Sequence, residues 1–348
     1  VPSNHTQHKK RPHAGKSRKN APPQQPLYAA LDLGTNNCRM LIARRTQQGF
    51  YVVDSFSRIT RLGEDITQNG YLSEVAMDRT IKALQVCSKK MENRNVTFIR
   101  SVATEACRRA DNGLDFLLRV EKETGLKLEA ITPEEEAGLA LTGCASLLNL
   151  EKPRGLVFDI GGGSTEIMWI EFDRLGDPIV ADVISLPIGV VTISESYAID
   201  NEIDEQAYQS IIDHVSQALE AFNLRNNISK DVKDGRVQML GTSGTVTTLG
   251  AVHLKLPRYM RSKVDGMKLS FERIDAISRK LTAMDCTQRS AHPCIGENRS
   301  DLVVAGCAIL DALCQLWPVG ELTIADRGIR EGILLKLMRA QERTKESA

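Results

Sequence analysis

Two short stretches place an acid and glycine together at the end of an apolar run: "LDLGTNN" at 31–37 and "FDIGGGSTEI" at 158–167. A turn built this way lets backbone N–H groups converge on one concavity, because glycine tolerates positive φ and has no side chain to block approach. Such a nest suits a phosphate oxygen. The candidate phosphate-binding residues are Gly34, Thr35, Asn36 and Asn37 in the first turn and Gly161, Gly162, Gly163 and Ser164 in the second. Asp32 and Asp159 stand just before them. A carboxylate beside a phosphate repels it unless a hard cation lies between, and Mg²⁺ held by one or two carboxylates and water is the usual arrangement. Mg²⁺ is therefore the expected cofactor.

Competing chemistries lack their signatures. A dinucleotide fingerprint needs a helix after its glycines, whereas residues 166–171 read as strand, and "GTSG" at 241–244 is not followed by the lysine of a Walker A loop. No Ser-His-Asp or Cys-His constellation stands out; His214 and His253 fall in helical patterns and His292 precedes a proline. The eight cysteines form no C-x-x-C pair, which points to reduced structural thiols rather than zinc or a disulfide framework. One glycine-rich hairpin needs no explanation beyond its turn. Two at matching places in two halves point to a ligand.

The elements that position these turns repeat. An apolar run at 27–31, the first turn and a second run at 38–43 read as strand, turn, strand; a third strand at 49–56 and a helical pattern at 75–91 follow. The runs at 155–158, 166–171 and 179–186, then an amphipathic stretch at 203–222, repeat the order and point to an internal duplication. Further strands are expected at 96–102, 128–131, 237–240 and 322–324, and helices at 113–124, 134–147, 244–254, 271–284, 299–316 and 328–339. This alternation defines an α/β protein with mixed sheets flanked by helices, and the cleft between its two domains is the natural ligand site.

Length supports the division, since 348 residues suit two domains of ordinary size. With 42% apolar and 26% charged residues, the composition is that of a globular protein. No segment has the ~20 apolar residues of a membrane span and no signal peptide is evident, so a cytoplasmic protein is expected. The formal charge of +1 conceals a segment at 1–26 with six Lys or Arg and no acid. Its composition predicts a disordered, solvated tail; contact with nucleic acid is the less favoured reading.

Together, "AALDLGTNNCRMLIA" and "LVFDIGGGSTEI" resemble the phosphate motifs of the exopolyphosphatase and guanosine pentaphosphate phosphohydrolase (Ppx/GppA) family, and the second is particularly specific. "RLGED" at 61–65, "VATEACRRADN" at 102–112, "EEEAGLALTG" at 134–143, "SLPIGVVTISE" at 185–195, "GTSGTVTTL" at 241–249 and "ADRGIREGIL" at 325–334 resemble family segments in family order.

The resemblance implies two ribonuclease-H-like domains of the actin and hexokinase superfamily, each with a mixed five-stranded sheet. They would span 27–150 and 151–327, with a C-terminal helix near 328–345 returning to the first. Without the further helical domain of longer members, this is the short form, expected to be less processive on long polymers.

The implied reaction is Mg²⁺-dependent release of the terminal phosphate from polyphosphate or guanosine pentaphosphate. Glu136 would be the base that activates water, kept ionised by its place near a helix N-terminus; from the residues alone, Glu134, Glu135 and Glu136 only complement a helix dipole. Arg108 would neutralise the transferring phosphoryl group. Asp159, with Asp32 opposite and Glu166 nearby, would hold the metal, although Glu166 on a strand could equally face solvent. Gly241, Ser243, Gly244 and Thr245 would add a third anion contact at a helix start and could serve a guanosine. Arg39 alternates along a strand and reads more readily as surface. The apolar helix within 302–316 is either internal core or the interface of a homodimer. The alternatives are a sugar-kinase-like phosphotransferase and a phosphate-polymer or alarmone sensor with little turnover.

Overall fold

The computed structural model describes residues 25–199 and 203–346, so the tail expected at 1–26 lies outside them but for Gln25 and Pro26. The first sheet is built from β1 (Leu27–Leu33), β2 (Asn37–Thr46), β3 (Gly49–Ile59), β4 (Phe98–Ala103) and β5 (Leu128–Ala130), in the order β3-β2-β1-β4-β5. The second comprises β6 (Arg154–Ile160), β7 (Thr165–Phe172), β8 (Pro178–Leu186), β9 (Val237–Thr242), β10 (Lys268–Ser270) and β11 (Glu321–Ala325), in the order β10-β11-β9-β6-β7-β8. From β8 inward this repeats the first sheet, with β1 and β6 antiparallel to one neighbour and parallel to the other. The duplication read from the hairpins thus extends to the whole topology. The second sheet has a sixth strand that the sequence reading lacks: β10 spans three residues, too few to show an alternating pattern.

Alternation along the strands decides which face each acid occupies. Ala29, Leu31 and Leu33 of β1 pack under helices Glu74–Asn93 and Gly113–Thr124, whereas Tyr28 and Ala30 face the other way. Asp32 shares that second face. In β6, Leu156, Phe158 and Ile160 belong to the large core of the second domain, while Val157 faces out of it, and Asp159 is on the side of Val157.

The element between these faces is helix Pro133–Cys144, capped by the Thr132 side chain, which accepts from Glu135 N. Leu139 packs into the first domain's cluster with Tyr28 and Ala30. Ala137, Ala140, Leu141 and Cys144 pack against Val157, Met168, Ile170 and Leu240 of the second. Helix Ile329–Glu346 lies on the first sheet through Ile333, Leu334 and Met338. The two helices cross at glycines: a Cβ on Gly332 would lie 1.9 Å from the Leu139 carbonyl oxygen, and one on Gly143 would lie 2.1 Å from that of Gly328.

Helix Val303–Leu316 is core: Val304, Ala305, Cys307, Ala308, Ile309 and Leu310 are all fully buried within the second domain. Its apolar face is already covered, so it offers no dimer interface. The helix begins later than the expected 299 because residues Glu297–Arg299 form a separate 3₁₀ turn. Short helices at Glu105–Arg109, Val190–Ser196, Ile228–Lys233 and Cys286–Ala291 went unread, being too short for a periodic signature. Among the described residues no helix is long and apolar enough to cross a membrane.

The glycine crossing makes a paired prediction. Gly332→Ala should lower stability by about 1–3 kcal/mol through overpacking. Gly138→Ala, in a helix where an added Cβ meets nothing within 4 Å, should be neutral or stabilising by up to ~1 kcal/mol. Urea midpoints of the two variants check both signs.

Candidate active site

Each turn is a hairpin tip closed by the same bond: Gly34 N–H donates to the Asn37 carbonyl and Gly161 N–H to that of Ser164, both at 2.9 Å. Tip carbonyls are tied off to neighbouring segments. Thr35 O accepts from Gly63 N, and Asn36 O from Thr60 N and Arg61 N; Gly161 O accepts from Val190 N, and Gly162 O from Val191 N and Thr192 N. Because the C=O and N–H of a planar trans peptide point in opposite directions, fixing these oxygens turns the N–H groups of Asn36, Gly162 and Gly163 the other way, as a nest requires.

None of the four tip glycines has a positive φ, so conformational freedom is not why they are there. The reason is contact between the tips. A Cβ on Gly162 would approach Thr35 Cβ to 3.1 Å and Asn36 Cβ to 3.2 Å, and one on Gly163 would approach Thr35 Oγ1 to 2.7 Å. The two domains meet tip to tip with the cleft closed.

Behind the tips lies a cavity of about 130 Å³, walled by Asp32, Asp159, Glu136, Glu166, Arg39 and Arg299 together with both tips. Gly34, Thr35, Asn36, Asn37, Gly161, Gly162, Gly163, Ser164, Ser243, Gly244 and Thr245 all reach its wall. Strand register assembles the floor: Asp32 pairs with Arg39, which pairs with Ser57, and Asp159 pairs with Glu166, which pairs with Ser185. Direct cross-strand partners project to one side. Hence Arg39 stands beside Asp32 and Glu166 beside Asp159 at equivalent places of the duplicated halves.

Arg39 is therefore part of the cavity wall rather than outer surface. Its alternation along β2 was visible in the sequence, but which face was inward was not. Glu166 is 2% exposed, with Oε1 accepting from Ser164 Oγ at 2.7 Å and Ser185 Oγ at 2.8 Å, so the solvent-facing reading fails.

Glu136, in the first turns of helix Pro133–Cys144, is buried. Its Oε2 accepts from Arg108 Nη1 at 2.8 Å; the same nitrogen donates to the Ile131 carbonyl at 2.7 Å, and Nη2 to Glu105 Oε2 at 2.9 Å. Arg108 thus sits behind Glu136, and it is absent from the cavity wall. One donor orients the Glu136 carboxylate and two more hold the guanidinium on Ile131 and Glu105, which makes it a positioning residue in this structure rather than the expected phosphoryl contact.

Gly241 is also absent from the wall. A Cβ there would lie 2.5 Å from the Phe158 ring, so this glycine serves packing between β9 and β6. Ser243 accepts at its side chain from Thr245 N and Val246 N, capping helix Gly244–His253. It does so at φ 153° and ψ 171°, a region that is essentially glycine-only and costs about 1–3 kcal/mol. Arg299 lies over this helix start, 3.7 Å from a Cβ on Gly244, and contacts Thr248 Oγ1 at 3.4 Å. Neither Arg299 nor Thr248 was singled out from sequence; a lone arginine in a polar loop has no spacing to mark it.

The acids repel one another in a desolvated space. Burial, then Glu166 and Asp32, push Glu136 well above the usual carboxylate range, with Arg108 opposing. Burial and Glu166 carry Asp159 up to about 8 against the pull of Arg39 and Arg330. Asp32 and Glu166 are raised as well, chiefly by burial. The helix N-terminus was expected to keep Glu136 ionised; burial and its acidic neighbours push the other way and raise the group.

The donor set is all oxygen, as Mg²⁺ requires. Among the described residues no three His, Cys, Asp or Glu side chains gather closely enough to hold a cation by themselves, and Glu166 Oε1 is engaged by two serines. Asp32 and Asp159 remain as a pair beside the tips, and Asn36 Oδ1 is buried there with no hydrogen-bond partner. This fits a hydrated ion shared between carboxylates and phosphate better than a protein cage.

Comparison with known proteins agrees with this architecture. The profile of the Ppx/GppA phosphatase family matches residues 41–341, and the chain belongs to that family. A putative exopolyphosphatase of Haemophilus influenzae is 27% identical over 89% of this chain and 90% of its own length. The guanosine-5'-triphosphate,3'-diphosphate pyrophosphatase of Photobacterium profundum is also 27% identical, over 91% of this chain, which spans only 60% of that longer protein. Among solved structures, the Ppx/GppA family member of Aquifex aeolicus is 29% identical with a TM-score of 0.73, covering 91% of this chain and 98% of its own. The fold is the actin-like one of that family.

Asp159 sets a pH dependence. Between the unfolded value near 4 and the folded value of about 8, the native state alone holds the proton, so stability falls as pH rises, by up to ~1.4 kcal/mol per unit for one group. Asp159→Asn should flatten that fall and stabilise the ligand-free protein at pH 8. Denaturant unfolding of both proteins at pH 5 and pH 8 measures it.

Proposed function

We propose that this phosphohydrolase removes the terminal phosphate of inorganic polyphosphate, with guanosine pentaphosphate as the second substrate. The observation that carries the reading is the cavity: both tips, Arg39, Arg299 and the carboxylates of Asp32, Asp159, Glu136 and Glu166 converge on one space. Convergent N–H groups and arginines beside a carboxylate suit a terminal phosphoryl group and the water that attacks it. Polyphosphate is placed first because a relative covered over 89% of this chain and 90% of its own length is a putative exopolyphosphatase.

In this reading the tip N–H groups and Arg39 receive the terminal phosphoryl oxygens, and Arg299 receives the neighbouring phosphate. Arg108 holds Glu136 so that Oε1 is free to take a proton from water. As the water oxygen bonds to the terminal phosphorus, the bridging P–O bond breaks in line; Glu136 gains the water's proton, the shortened chain leaves with the bridging oxygen and the bond's electron pair, and the terminal group is released as orthophosphate. A raised pKa strengthens Glu136 as a base, provided neighbouring positive charge keeps it ionised at working pH. Asp159 and Asp32 would hold Mg²⁺, directly or through water, and the ion would supply charge neutralisation on the phosphates.

The test measures initial phosphate release from short polyphosphate, long polyphosphate and guanosine pentaphosphate, with Mg²⁺ and with a chelator. Glu136→Gln should lose about 10²–10⁴-fold in kcat with an unchanged circular dichroism spectrum. Retained turnover in that variant rejects the base assignment; binding without turnover in the parent protein would make it a sensor.

A further inference from the structure

The loop after β3, residues 60–65, does two things at once. Its backbone holds the first tip, through Thr60 N, Arg61 N and Gly63 N. It also crosses to the second domain: Arg61 Nη2 lies 2.9 Å from Asp301 Oδ2, and Asp65 N–H donates to Glu195 Oε1 at 2.9 Å. Glu195 belongs to helix Val190–Ser196, whose first N–H groups hold the second tip at Gly161 and Gly162. Ser194 Oγ of that helix also donates to the Asp301 carbonyl at 3.3 Å. Each tip is thus gripped by a different segment, and the two segments grip one another.

We propose that loop 60–65 and helix Val190–Ser196 form a latch that fastens the cleft over a bound phosphoryl group, with Arg61, Asp301 and Glu195 as positioning residues. The closed latch is left incomplete. Glu195 Oε2 and Asp301 Oδ1 are both buried without a hydrogen-bond partner, a condition that opposes closure. Arg61 and Asp65 adopt left-handed φ of 47° and 59°, uncommon for residues other than glycine. These costs keep the closed state shallow, so that a substrate bridging both tips decides whether it persists.

Two readouts test the latch, and only the second rests on the proposed hydrolase activity. The first is hydrogen exchange at the Asp65 amide in the ligand-free protein. Glu195→Ala should speed it at least ~5-fold, by removing the acceptor, while Glu195→Gln, which keeps an oxygen there, should restore protection. The second is kinetic. Asp301→Ala should raise KM for polyphosphate about 3–10-fold with kcat within about twofold, since a smaller closed fraction weakens apparent binding in proportion. Arg61→Asp combined with Asp301→Arg should recover the parent KM. Unchanged exchange in Glu195→Ala, a fall in kcat with KM unmoved in Asp301→Ala, or no recovery in the double reversal would each overturn the latch. If no phosphate substrate is turned over, the exchange experiment still decides.

Discussion

Mutual repulsion among the buried Asp32, Asp159, Glu166 and Glu136 around one cavity is the constraint on which the rest of the structure turns. Such a cluster cannot be fully ionised without positive charge, and the protein supplies only part of it, through Arg39, Arg108 and Arg330. The shortfall makes the closed cleft an acceptor for cationic charge and for a ligand that brings it. Carboxylates that repel one another are held by strand register, by two serines on Glu166 and by the Arg108 Nη1 bond to Glu136.

The scaffold that holds them depends on close approach. Helix Pro133–Cys144 touches both sheets and meets helix Ile329–Glu346 at Gly332 and Gly143. A side chain at either position would push the helices apart and displace Glu136 from the acids it faces. The tip glycines do the same service between domains, where Gly162 and Gly163 admit Thr35 and Asn36. Glycine here gives space rather than backbone freedom, the reverse of what the turn sequences suggest at first reading.

Much of this was legible in the sequence because it rests on local patterns. Alternation located most strands of both sheets, the hairpin grammar exposed the duplication, and the acids at strand ends marked the cleft. What escaped needs three dimensions. Whether Arg39 faces inward depends on which face of β2 is covered by helix Ile329–Glu346, which arrives almost three hundred residues later. Arg108 could be matched by its motif, and Glu105 lies on its own helix, yet its acceptors on Glu136 and Ile131 come from a segment more than twenty residues further on. Gly241 read as part of an anion loop, but the Phe158 ring on the adjoining strand takes the space beside it. The strand β10 and the latch loop carry no periodicity at all.

The matched rows Asp32–Arg39–Ser57 and Asp159–Glu166–Ser185 have a consequence of their own. Both begin with aspartate and end with serine, and only the middle residue differs, arginine in one half and glutamate in the other. A scaffold with repeated topology therefore places opposite charges, arginine beside Asp32 and glutamate beside Asp159, at equivalent positions of its two halves. Duplication thus built a cradle with a handedness of charge, in which a symmetric phosphate acquires a front and a back.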